Sequence, residues 1–477
     1  LWPNTRFALA LTLALAPQAG HAETLADAVA AAYQSNPTLQ QQRASLRSLD
    51  ETYVQAEAGY YPTVSLNTTI TTDTNNAQTA LQNLPGIDQQ LVPGQSQTSA
   101  AGIQINQAIY TGGRVARAVD ASHAGIMAGR EALRSTEESV LQATIQAYVD
   151  TRRDQQALAI AMDNLNLLRG QLDEARARFG VGEITRTDVA ETEANVAAAE
   201  ANLAAAQTAL ANSRAAYAAI VGHEPGDLAP EPPLTRLLPG TLDEAVEAAR
   251  RRSPDILRSA YTADASAARE AEVKALTRPT LSLQANLGYV GGSLGLHTPF
   301  SHYSHDITAS AVATFPIFSG GVTSSQIRQA AETNAADQIG IEVARRQAFY
   351  SVSQAWNQLQ GARASQAAEK AQEKAAALAF EGMRIESRAG QRSILDVLIT
   401  QQSLTNARIA LVSAGHDEYL AAANLLAAMG ALNAADLAPG TPVYDPTRNF
   451  DRVGRGPFWA PWEPAIATID RIGAPAR

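Results

Sequence analysis

Leu281-Ser282-Leu283-Gln284-Ala285-Asn286-Leu287-Gly288-Tyr289 alternates a large or apolar residue with a small or polar one over nine positions. A period of two is that of a strand with unlike faces. A second run follows: Ile307, Ala309, Ala311, Ala313 and Phe315 alternate with Asp306, Thr308, Ser310 and Thr314, interrupted only by Val312. Ile103, Ile105 and Ile109 alternate with Gln104, Asn106 and Ala108, and Val64, Leu66 and Ile70 give a weaker fourth run. Runs of ~9–11 residues suit tilted strands crossing an outer membrane, with the apolar face on lipid and the polar face on a lumen. A soluble half-buried sheet alternates in the same way, so the surrounding sequence must decide between them.

Outside these runs the chain reads as long helices. No proline occurs in the 131 residues from Gly94 to Glu224 or in the 122 from Ile317 to Ala438. A proline inside a helix costs ~3 kcal/mol, so exclusions of this length mark helices. The spacing predicts helices over 24–58, 114–178 and 184–221, and again over 241–276, 322–386 and 392–430. A 65-residue helix would be about 98 Å long at ~1.5 Å per residue. In the helix after the first tight turn, Val189, Val196, Leu203, Leu210 and Tyr217 recur every seven residues, with Thr192, Ala199, Ala206, Ser213 and Ile220 three positions on. Large residues at one seam position and small ones at the other permit close coiled-coil contact.

The two helical sets are copies. Leu25 and Leu242, Asn36-Pro37 and Ser253-Pro254, Tyr61-Pro62 and Arg278-Pro279, and Leu66 and Leu283 all lie 217 apart. From Ile109 and Ile317 onward the offset is 208, and it holds for Gly112-Gly113 with Gly320-Gly321, Tyr148 with Trp356, Gly182 with Gly390, and Asp188-Val189 with Asp396-Val397. The nine-residue difference falls between Leu66 and Ile109, as expected of a surface loop. The expected organisation is a signal peptide over 1–22, a first repeat over 23–221 with its β-hairpin at 62–110, a Pro-rich linker over 222–240, a second repeat over 241–438 with its hairpin at 279–317, and a Pro-rich tail over 439–477 read as irregular. The signal reading rests on Arg6, the apolar run Phe7–Ala16, and small residues Gly20 and Ala22 before the expected cleavage.

Composition trims the functional options. The 477 residues carry 37 basic and 47 acidic side chains, a net charge of −10, which disfavours nucleic acid. Cysteine is absent, which removes disulfides, thiolate metal sites, cysteine nucleophiles and a cysteine-linked lipid anchor. No run after Ala22 is long and apolar enough for a transmembrane helix. Four strands cannot close a barrel, and open edges are not tolerated in lipid. Several copies would have to share one, and three copies with four strands each would give twelve. The loops 74–97 and 291–304, with Asp88 their only charged residue, are expected to face the exterior.

No catalytic constellation emerges, and no cofactor is expected. His297, His302 and His305 share one loop, but a solvated outer loop outweighs a metal site, since only Asp306 stands near as a further ligand. Gly112-Gly113-Arg114 lacks the Gly-Lys-Ser/Thr ending of a phosphate loop and reads as a strand-to-helix turn, as does Gly320-Gly321. His123, His223 and His416 read as isolated surface residues. The competing reading is a pore-less periplasmic coiled-coil adaptor or scaffold, disfavoured because both repeats carry two strands between helices.

The duplication, the Asn36-Pro37 and Ser253-Pro254 steps, Tyr61-Pro62 and Arg278-Pro279, Ile317-Phe318-Ser319-Gly320-Gly321 and the tip from Ala389 to Leu398 together resemble the TolC-like outer-membrane efflux family. The resemblance covers about 24–438. It implies an α+β membrane protein: a long antiparallel α-helical barrel in the periplasm continuous with a shared transmembrane β-barrel, 12-stranded as a homotrimer, in a Gram-negative outer membrane. It implies a passive channel-tunnel, not an enzyme, that serves as the exit duct for efflux or type I secretion. Its partners would be a periplasmic adaptor, an inner-membrane transporter and outer-membrane lipid. The missing lipidation cysteine leans toward the unlipidated, secretion-type branch. Charges in family members constrict the periplasmic end, and Arg392 and Asp396 fall on matching positions with Asp188 as the first-repeat counterpart. The expectation is an acidic ring from Asp396, with Arg392 paired to a carboxylate such as Asp188. The family can show a tyrosine where Ser387 stands and a second acidic ring where Ile399 stands.

Overall fold

The computed structural model describes residues 22–74, 95–294, 303–454 and 460–472. Residues 1–21 of the expected signal peptide, most of the stretches 74–97 and 291–304, His297 and His302 lie outside the described residues. Two compact units emerge, and they are not the two repeats. One comprises the described residues of Leu1–Pro37 with Glu137–Leu242 and Ser353–Val443; the other comprises Thr38–Thr136, Asp243–Val352 and Tyr444–Arg477. Each unit therefore draws helices from both repeats.

The first repeat contains α1 (Leu25–Ser35), α2 (Pro37–Glu57), β1 (Thr63–Thr74), β2 (Gln95–Tyr110), α3 (Arg114–Gly180) and α4 (Arg186–Val221). The second contains α5 (Leu242–Arg252), α6 (Pro254–Lys274), β3 (Thr280–Leu294), β4 (Tyr303–Thr314), α7 (Val322–Arg388) and α8 (Ile394–Ala428). The helices expected over 24–58 and 241–276 are each broken in two. A residue before proline is pushed out of the helical region, and Asn36 and Ser253 adopt ψ of 123° and 120°. Asn36 uses the break, donating from Nδ2 to the Ile220 carbonyl at 3.1 Å.

The strands form one antiparallel sheet in the order β1-β2-β3-β4. Facing residues share a side of the sheet, and the register places Leu66, Ile103, Leu287 and Ile307 in one row across all four strands. These four are 74, 45, 45 and 72% exposed. The opposite side carries Ser65, Gln104, Asn286 and Thr308 in the adjacent row. On that polar side Asn67 donates to Gln104 at 2.9 Å and Asn286 donates to Asp306 at 3.1 Å. Among the described residues β1 and β4 each pair on one side only. The sheet thus has an apolar face that no core covers and two open edges.

In the helical unit, the seam positions of α4 are the ones turned inward. Thr192, Val196, Ala199, Leu210, Ser213 and Tyr217 are buried, and Val189 and Leu203 pack partly buried against Leu165, Leu168, Leu172 and Leu398. The Pro-rich linker is tied down here: Glu23 bridges to Leu228, and the Tyr148 hydroxyl donates to the Glu23 and Ala229 carbonyls at 3.0 and 2.7 Å.

The tail departs from the irregular segment expected. Beyond the short α9 (Ala434–Leu437) it forms α10 (Thr447–Val453) and α11 (Glu463–Ile472). Pro446 caps α10 and Pro464 lies in the first turn of α11, positions where a missing N–H breaks no helical bond. In α11, Ile466 joins a cluster with Tyr60, Val115 and Val119. Asp470, 1% exposed, accepts from the Thr111 and Gly113 N–H groups at 2.7 and 3.1 Å, from the Thr111 hydroxyl at 2.9 Å and from the Ala116 N–H at 3.3 Å. The carboxylate caps the start of α3 from another part of the chain.

Candidate functional site: the two helical tips

The turns joining α3 to α4 and α7 to α8 have the same construction. After Gly180 the chain reverses through Gly182, at φ 81°; the Gly182 N–H donates to Phe179 at 3.0 Å and the Glu183 N–H to Arg178 at 3.0 Å. In the second tip Gly390, at φ 75°, donates to Ser387 at 3.0 Å and Gln391 to Glu386 at 2.9 Å. Both are six-to-one closures that satisfy the last helical carbonyls, and only glycine adopts this φ without strain. The strand-to-helix turns are equally left-handed at Gly112, Gly113, Gly320 and Gly321.

The helices leaving the tips open with reciprocal capping boxes. Thr185 caps α4 with Asp188 three residues on, and Ser393 caps α8 with Asp396. The Asp188 carboxylate accepts from the Thr185 N–H and hydroxyl, both at 2.8 Å, and these bonds hold its pKa below 3.8. Asp396 accepts from the Ser393 N–H at 3.2 Å and hydroxyl at 2.9 Å. Within one chain Arg392 does not pair with Asp188. Its Nε donates to Glu386 at 3.0 Å within its own tip. Asp188 is already held by Thr185 one helix away, whereas Glu386 lies six residues from Arg392 across a single turn. Both side chains of the Arg392–Glu386 pair are about half exposed, so the pair contributes only ~0–1 kcal/mol.

Behind the tips, Val397 packs with Phe380 and Leu404, while Leu398 reaches the α3–α4 cluster. Gln401 donates to Asn164 at 2.9 Å in the buried layer above, and the Thr405 hydroxyl adds a bond to the same oxygen at 3.1 Å. Cross-helix pairs Arg176–Glu193 and Arg169–Glu200, at 2.8 and 2.7 Å, brace α3 against α4 on the exposed side. The acidic and basic tip residues thus stand on rigid turns. Glu386 escaped the sequence reading, although its place six residues before Arg392 across the glycine turn is a usable signal.

His416 also corrects the sequence reading, since it is not on the surface. Its side chain is 8% exposed and lies between Asp150 at 2.7 Å and Asp417 at 2.9 Å. Burial opposes its charge, yet the two carboxylates outweigh burial and raise its pKa above 6.5, while its hydrogen bond lowers that of Asp150 below 3.8. A raised histidine pKa stabilises the fold fully below the unfolded value and loses that contribution as pH climbs through the folded value. The lowered Asp150 contributes above its unfolded value and loses this only in acid. Heating the protein should therefore show a lower unfolding temperature at about pH 9 than at about pH 6. His416→Gln should flatten that difference, and an unchanged pH profile in the variant would count against the pair. His223 is likewise engaged, with Glu23 at 3.0 Å and its ring edge-on to Tyr217, and His123 lies edge-on to Phe450. Among the described residues no group of three metal-binding side chains forms, and no helix is long and apolar enough to cross a membrane.

An unclosed amphipathic hairpin pair set between duplicated long helices is matched elsewhere. The Outer membrane efflux protein family matches residues 28–223 and 245–431. The chain belongs to that family. It is 33% identical over 441 residues to the outer membrane efflux protein BepC of Brucella suis, covering 92% of each chain. It is 25% identical over 312 residues to the alkaline protease secretion protein AprF of Pseudomonas aeruginosa, covering 64% of each. The fold is that of VceC, an outer membrane protein of Vibrio cholerae, with TM-score 0.71 at 20% identity over 85% of this chain and 96% of the other. The protein is accordingly an outer-membrane export channel, a helical tunnel joined to a share of a β-barrel, and members of this family are channels rather than enzymes.

Proposed function

We propose that three copies of this chain join edge to edge into a twelve-stranded barrel over a common helical tunnel, and that the assembly is the exit duct of a tripartite efflux or type I secretion system. The four-stranded sheet with its uncovered Leu66–Ile103–Leu287–Ile307 row carries this reading. Two open edges in lipid leave unpaired backbone groups, and even strand numbers of at least eight are the rule for bacterial barrels. Relatives named for efflux and for alkaline protease secretion support a duct that receives cargo from an inner-membrane transporter through a periplasmic adaptor.

At the helical tips, Asp396 and Asp188 become rings of charge when the copies assemble. The rings favour cations, and the Arg392–Glu386 pair stiffens the tip that carries them. Planar-bilayer recording on the purified channel tests both levels. The channel should conduct as an oligomer of three chains by native mass. Asp396→Asn should lower the cation preference, and Arg392→Ala should raise closed-state conductance several-fold. A species that never perforates the bilayer removes the duct. Wild-type selectivity and conductance in both variants would remove the tip assignment alone.

A further inference from the structure

The internal repeat exposes an asymmetry at the junction between strands and helices. In the first repeat, Ile109 packs with Tyr60, Val115 and Ile466 of α11, and Gly112 and Gly113 are buried. The counterparts 208 residues on are bare: Ile317 is 96% exposed, Phe318 in the place of Tyr110 is 89% exposed, and Gly320 and Gly321 are exposed. A Cβ built on Gly112 would meet Arg278 at 2.7 Å, whereas one on Gly320 would find nothing within 4 Å. Two adjacent large apolar side chains left in the open at the foot of a strand mark a surface meant to be covered.

The same repeat says what stands next to it. Within the chain, Arg278 leads into β3 and donates to the Gly112 carbonyl at 2.7 Å, so the second repeat's lead-in lies against the first repeat's exit turn. Tyr61 is the counterpart of Arg278 at offset 217, and Gly320 is the counterpart of Gly112 at offset 208. Continuing the sheet from β4 to a following β1 therefore brings the next copy's Tyr61 to the bare Gly320 turn. On its own chain Tyr61 is already flanked by α11, where the Glu463 carboxylate faces its hydroxyl. While Ile466 and Asp470 seat α11 on the first junction, Trp462, Ala465, Ile469 and Ile472 repeat at spacings of three and four along an exposed side, forming a second apolar stripe.

We infer that α11 is a clasp between copies: its seated side locks the first-repeat junction of its own chain, and its Trp462–Ile469–Ile472 stripe covers Ile317 and Phe318 of the neighbouring copy. This rests on the shared-barrel reading, because only edge-to-edge joining places the two stripes together. The tail lies beyond the residues that the family model matches. It closes each seam at the level where the strands give way to helices.

The chain's lack of cysteine makes introduced ones unique. Two single-cysteine forms of the full chain, Ile317→Cys and Ile472→Cys, are co-expressed, and a bis-maleimide linker is applied to the membranes. The expected product is a covalent dimer that contains one chain of each kind, with Ile469→Cys giving the same product. In the cysteine-free chain, Ile469→Ser with Ile472→Ser should lose the detergent-resistant oligomer band at a lower temperature than wild type. Native mass of the unlinked channel separates the two readings. An intact oligomer in which neither cysteine position links to Ile317→Cys overturns the clasp and leaves the shared barrel standing. Labelling of Ile472→Cys by a lipid-soluble maleimide, with no linked dimer, would overturn it in favour of a stripe resting on the membrane surface. A single-chain species overturns both.

Discussion

Leu287→Arg should abolish assembly in the membrane, while Gln284→Arg, three residues away on the same strand, should assemble and conduct. Leu287 lies mid-strand in β3, faces Ile103 on one side and Ile307 on the other, and belongs to the exposed apolar row. In a barrel that face meets lipid, where an arginine near the bilayer midplane costs ~2–4 kcal/mol. Every copy in a shared barrel carries the substitution, so a trimer would lose this about three times over. Gln284 faces Asn106 and Ser310 on the polar side. An arginine there remains in lumen water and adds positive charge to the passage, so its effect should be on ion selectivity. Heat-resistant oligomer on a gel and conductance in a bilayer read the two variants. Equal tolerance of both would mean that the row does not face lipid, and would return the sheet to a soluble role.

A period of two reports which residues share a face without reference to any partner, so the four strands and their apolar sides were legible in the four alternating runs. The seam of α4, and its α8 counterpart through Val397, Leu404, Leu411, Glu418 and Leu425, were legible for the same reason: a seven-residue repeat specifies the inward side whatever packs on it. Contacts distant in sequence were not. His416 sits off the seam and lies 266 positions from Asp150, so nothing local distinguished it from a surface histidine. Arg392 found Glu386 through a glycine turn, a geometry that matching by residue type alone had passed over in favour of Asp188. The breaks at Asn36 and Ser253 were visible as Xaa-Pro steps, but the strong helical pattern on both sides hid their effect. The tail misled through proline content, because a proline at a helix start is as compatible with order as one in a coil is with disorder.

Asp470→Ala should therefore be among the most damaging single substitutions outside the membrane-facing strands, although it lies in a segment that reads as dispensable. Its carboxylate accepts four hydrogen bonds, three from backbone N–H groups at the start of a 67-residue helix and one from the Thr111 hydroxyl. Those N–H groups have no helical partner of their own, and the site is buried, so removing the acceptor leaves donors unsatisfied rather than handing them to water. The expected loss is about 2–4 kcal/mol, larger than for an exposed cap because both the charge-assisted bonds and the water-free setting are lost. Asp470→Asn keeps one acceptor oxygen and should recover part of it. Thr111→Val removes the hydroxyl but not the carboxylate, and should cost less than Asp470→Ala. Protease sensitivity at the start of α3 and the dissociation temperature of the oligomer are the measurements. If Asp470→Ala left both at wild-type values, α11 would be resting on the junction without holding it. The helix start would then owe its order to the apolar contacts of Val115 and Val119, the Thr111 hydroxyl that caps Val115 and the Arg278 bond to Gly112.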